Sequence, residues 1–97
     1  MRTLIKVTVP VQGGNASIKS GALPRVIQQT LETLRPEAAY FLTENGLRTA
    51  LMVVDIADAT TLPSIAEPFF QELEATVELI PCMNAQELQA GLARLAK

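Results

Sequence analysis

An α+β domain, with helices laid on one antiparallel sheet, is what this 97-residue sequence predicts. Three observations carry the prediction. Residues 37–56, EAAYFLTENGLRTALMVVDI, read as a hairpin whose Asn45-Gly46 dipeptide suits the left-handed angles of a type I′ turn. Residues 3–9 and 75–82 alternate apolar and polar side chains with the period of a strand. Between them lie two stretches whose apolar residues recur at steps of three and four, as on the buried stripe of a helix.

In chain order, the first strand sets Ile5, Val7 and Val9 against Leu4, Lys6 and Thr8, and Pro10 ends it. Residues 11–22 hold three glycines, two serines and an asparagine and are expected to form a loop, with one helical turn at 16–19. A helix follows on Leu23, Val26, Ile27, Leu31 and Leu34. Pro24 sits in its first turn, and Pro36 stops it because the residue before a proline avoids helical angles.

In the hairpin a two-residue loop sets Glu44 opposite Leu47, Thr43 opposite Arg48, Leu42 opposite Thr49, Phe41 opposite Ala50 and Tyr40 opposite Leu51. Ala39, Phe41, Thr43, Arg48, Ala50, Met52 and Val54 then share one face. Ala38, Tyr40, Leu42, Glu44, Leu47, Thr49, Leu51 and Val53 share the other. Both faces are largely apolar, so both need cover.

Thr61 is the expected N-cap of the next helix, which buries Leu62, Ile65, Ala66, Phe69, Phe70 and Leu73. Pro68 cannot donate to the Ser64 carbonyl, which predicts a break near Glu67 at a cost of ~3 kcal/mol. The last strand carries Pro81, a sign of a sheet edge. Asn84 and Glu87 form a capping box at the start of a final helix with Leu88, Leu92 and Leu95 on one side, and Arg94 and Lys97 suit its negative end. So narrow a stripe predicts a helix on the outside, docked on a neighbouring subunit.

The order of elements is that of the ferredoxin-like split βαβ arrangement plus a C-terminal helix, in a single domain over residues 1–97. Right-handed connections give a four-stranded antiparallel sheet in the order 4-1-3-2 with both helices on one face. The other face is left bare. The hairpin face of Phe41, Arg48, Ala50, Met52 and Val54 is the one expected there, covered by a second copy in a two-fold dimer.

Composition excludes several function classes. The chain is 48% hydrophobic with net charge −2, and its eight basic residues are scattered, which removes the electrostatic footprint of nucleic-acid or polybasic membrane binding. There is no histidine and one cysteine, Cys82, so His-dependent triads and multi-ligand zinc sites are out and no internal disulfide can form. No apolar run reaches the ~18 residues of a membrane span, and the N-terminal run, interrupted by Lys6, does not read as a signal peptide. A cytoplasmic location is expected, with no metal and no cofactor.

With these elements assigned, the chain resembles the dimeric α+β barrel superfamily, in which two ferredoxin-like protomers close their sheets into a barrel. The apolar hairpin and the run IAEPFFQELEATVELIPCMNAQEL (residues 65–88) carry the likeness, which is to small bacterial members of unassigned function. The superfamily also includes cofactor-independent monooxygenases and muconolactone-isomerase-like enzymes, whose polar catalytic groups find no obvious match in this chain.

Few residues stand out chemically. GNASIKS (residues 14–20) lacks the second glycine of a phosphate-binding loop and reads as a polar connection. Cys82 reads as a buried small hydrophobe rather than a reactive thiol. Tyr40, a polar-tipped ring among aliphatics, is the expected ligand contact between sheet and helices, with Phe69 and Phe70 as wall. Arg48 and Lys6 are expected to share the open face with Glu78, in an interface salt bridge or, alternatively, an anion site. The resulting expectation is a homodimeric, non-catalytic binding or structural protein holding a small apolar ligand. The alternative is a cofactor-independent monooxygenase- or isomerase-like enzyme on a small aromatic or lactone-like substrate.

Overall fold

The computed structural model describes residues 1–96, so Lys97 lies outside the described residues. Its sheet has four antiparallel strands, β1 (Arg2–Val9), β2 (Ala38–Glu44), β3 (Leu47–Asp55) and β4 (Thr76–Pro81), in the order β2-β3-β1-β4. This is the expected order read from the opposite edge, compatible with the ferredoxin-like arrangement. The hairpin register matches the expectation pair for pair, from Glu44–Leu47 to Tyr40–Leu51. Asn45 and Gly46 take the positive φ angles of 55° and 76° that the turn requires. β4 is an edge strand ending in Pro81, where a missing N–H costs the sheet nothing.

Residues 11–22 are not a loop. Val11–Ser20 form helix α1, joined through Gly21 to α2 (Ala22–Leu34). Gly21, at φ 84°, closes α1 with its N–H on the Ile18 carbonyl. Glycines that signal a loop in sequence serve close packing: a Cβ on Gly13 would stand 2.7 Å from the Leu73 carbonyl oxygen. Burial against other elements thus overrides a weak local propensity. The amides of the phosphate-loop-like segment are spent inside this helix, Gly14 N–H donating to the Pro10 carbonyl.

α2 ends as expected, with Arg35 left-handed at φ 46° ahead of Pro36. Helix α3 (Leu62–Leu73) runs through Pro68 without the expected break. Ile65 before the proline and Phe69 and Leu73 after it are buried in the core with the strand residues, which compensates the lost hydrogen bond. Thr61 stands at the N-cap position of α3 as expected, but its side chain makes no cap hydrogen bond to the helix. Three residues earlier the Asp58 side chain accepts from Thr60 N–H and opens a short 3-10 turn, Ala59–Thr61, that leads into the helix. Helix α4 (Ala85–Ala93) starts on the expected capping box, with Asn84 and Glu87 each accepting from the other's backbone N–H.

The two sheet faces are the reverse of the expectation. Ile5, Val7 and Val9 pair with Met52, Ala50 and Arg48 across β1–β3, so the clean aliphatic face of β1 carries that side of the hairpin with it. Helices α2 and α3 cover this side. Met52 is 0% exposed and Ala50 and Val54 are buried with it, in a core shared with Val26, Phe69 and Leu73. These three residues therefore cannot form a dimer surface, and Phe41 and Arg48 lie on the same helix-covered side at its margin. The bare side holds Leu4, Lys6, Tyr40, Leu42, Leu51, Val53, Glu78 and Ile80.

Candidate functional site

Tyr40 and Phe69, expected in one pocket, stand on opposite sides of the sheet. Tyr40 projects from the open face and is 68% exposed, whereas Phe69 is fully buried beneath the helices and Phe70, next to it, points outward. A pocket between sheet and helices therefore cannot include the tyrosine. Cys82 is half-buried at the end of β4.

Two cavities flank the helix layer. The larger, about 490 Å³, opens between α2, α3 and the connection from β3, against Val26, Leu34, Ile56, Ile65 and Pro68. Its size falls within the range of small-molecule sites. Three of its hydroxyls are already engaged: Thr30 donates to the Val26 carbonyl, Thr61 to that of Asp58 and Ser64 to that of Thr61. The Asp58 carboxyl is held below its ordinary range by the backbone N–H of Thr60, so it stays ionised at neutral pH and makes a poor general acid or base there. No sequence pattern announces this cleft, because its walls come from two helices and a turn brought together only by the fold.

The smaller cavity, about 230 Å³, lies at the β2 margin between α2 and the sheet. Val7, Val9, Leu23, Ile27 and Ala50 form its walls, with Phe41 at the flank and Arg48 as its one charged residue. The Arg48 guanidinium donates from Nη2 to Asn15 Oδ1 at 3.0 Å. It lies so close over α1 that a Cβ on Gly14 would stand 2.5 Å from Nη1.

On the open face Lys6 bonds Glu44, a contact reaching from β1 over β3 to β2, with Glu78 as its cross-strand neighbour. These contacts, the Glu44 hydrogen bond above all, raise the Lys6 pKa. Arg48 is absent from this group, contrary to expectation. Arg2 ties the start of α4 to the sheet through Glu87 and also bonds Glu37. Beyond that tether α4 makes little contact with the body, and Leu88, Leu92 and Leu95 stand exposed. The molecule is correspondingly elongated, 56 × 29 × 17 Å.

Among the described residues no cluster of three or more histidine, cysteine or acidic side chains could hold a metal, and no helix is long and apolar enough to cross a membrane. Every buried side-chain nitrogen and oxygen among them has a hydrogen-bond partner. Comparison with known protein families and with curated proteins gives no match to this chain.

Proposed function

We propose that this chain works as a homodimer of the dimeric α+β barrel type, a non-catalytic binding protein with a small apolar ligand in the cleft between α2 and α3. One observation carries the reading: the sheet has a second, uncovered apolar face. Tyr40, Leu42 and Ile80 are exposed there beside half-buried Leu4, Leu51 and Val53, and the apolar stripe of α4 projects from the same tethered end of β1. Patches of this kind on a small domain mark interaction surfaces. A second copy offers matching geometry, since a two-fold contact pairs one apolar face with itself and lets each α4 lie along its neighbour. Stable interfaces take ~800 Å² from each partner, and a four-stranded face plus a helix is of that order.

The non-catalytic character is supported by the cleft, whose Thr30, Thr61 and Ser64 hydroxyls are engaged with backbone carbonyls and whose walls are largely aliphatic. The enzyme alternative has less support, because its expected polar group, Tyr40, stands across the sheet from both cavities. Sedimentation equilibrium tests the assembly. The wild-type chain is expected to be dimeric at micromolar concentration, and Tyr40→Glu combined with Ile80→Glu is expected to give a monomer with an unchanged circular-dichroism spectrum. A monomeric wild type, or a double variant that stays dimeric, overturns the assignment of the face.

A further inference from the structure

We propose that the smaller cavity, at the β2 margin, is a binding site for a small carboxylic acid with an apolar body, its carboxylate taken by Arg48. This goes beyond the larger cleft and does not depend on what that cleft holds.

The chemistry is that of an apolar slot ending in one cation. Its walls are aliphatic, and Arg48 is the single charged residue among those that line it. Arg2, Lys6 and Arg25 each bond a carboxylate, but no acid lies within ion-pair distance of Arg48 among the described residues. Glu74, the acid that approaches this region, places its carboxylate beside Gly13 instead. The partner Arg48 does have, the Asn15 side-chain oxygen, is neutral, so it orients the guanidinium without forming an ion pair.

The seat is also costly to build, which separates it from a chance surface arginine. Gly14 is buried in the interior of α1, where glycine is a weaker helix former than alanine. Any larger residue there would collide with the Arg48 Nη1 position. The half-buried Arg48 side chain lies against α1 at this point and lines the slot. Planar, multi-donor guanidinium groups match carboxylates in a two-point contact. An apolar cavity of about 150 Å³ holds a benzene ring, so about 230 Å³ admits a ring or a short chain with its acid group at the rim.

The test uses the full-length chain, titrated with benzoate and hexanoate and, as neutral controls, benzyl alcohol and hexanol, read by backbone amide NMR shifts. Benzoate is expected to move the amides of Asn15, Ile27, Thr49 and Ala50 and to bind at least tenfold more tightly than benzyl alcohol. Arg48→Gln is expected to lose that tenfold preference. Gly14→Ala, which keeps the charge but displaces the guanidinium, is expected to lose most of it while remaining helical. Equal binding of acid and alcohol, undiminished binding by Arg48→Gln, shifts confined to the α2–α3 cleft, or no saturable shift with either acid would each overturn the proposal.

Discussion

Met52 shows how a single side chain decides what a variant does. In sequence it sits on one of two apolar hairpin faces and belongs equally well to a dimer surface. In the folded chain it is fully buried, facing Ile5 across β1–β3 within the core that holds Phe69. An aspartate there would be an unpaired charge in an apolar interior, a loss above about 4 kcal/mol. Total stability of a small domain is only ~5–15 kcal/mol. Met52→Asp is therefore expected to leave the chain largely unfolded, seen as lost circular dichroism without denaturant, rather than to yield a folded monomer. Local rules told the hairpin register correctly because Asn45-Gly46 fixes it within twenty residues. They could not tell which face meets the helices, since that depends on β1 pairing with β3 about forty-five residues away, with no turn between to set it.

At the level of elements, turn chemistry was the reliable guide and propensity the unreliable one. The capping box of α4 and the stop before Pro36 were both legible. Helix α1 was not, because its glycines fill a role visible only when Leu73 and Arg48 lie against them. Thr61 was legible as the residue that precedes α3, but the short turn that Asp58 caps just ahead of it was not. The Asp58 carboxyl is held below its ordinary value chiefly by the Thr60 backbone N–H. A carboxyl depressed in the folded state adds stability above its unfolded pKa and loses it as pH falls through the folded one. Wild type is therefore expected to melt above Asp58→Ala at neutral pH. The gap should narrow once pH drops below the ordinary carboxylate value of 3.8, as followed by thermal melts across acid buffers.

The whole molecule consists of a two-layer body and a helix that leaves it. Neither candidate site was legible in the sequence, since one cavity is walled by two helices and a turn, and the other depends on Arg48 reaching back to α1. Helix α4 was legible as an outlier, its stripe too narrow for a core. All of its residues are exposed, and the Arg2–Glu87 pair, an exposed contact worth at most ~1 kcal/mol, is its main tether. Ending the chain after Cys82 is expected to leave the melting temperature of the isolated protomer nearly unchanged. The same truncation is expected to raise the dissociation constant of the dimer, measured by sedimentation over a dilution series.

The outer strand β2 has one further consequence. Every residue of AAYFLTE is at least partly open to water, and the segment contains neither lysine nor proline to discourage pairing by a passing backbone. The opposite border, by contrast, ends in Pro81. Misassembly of concentrated protein should thus begin along β2, by sheets growing edge to edge from that unguarded margin.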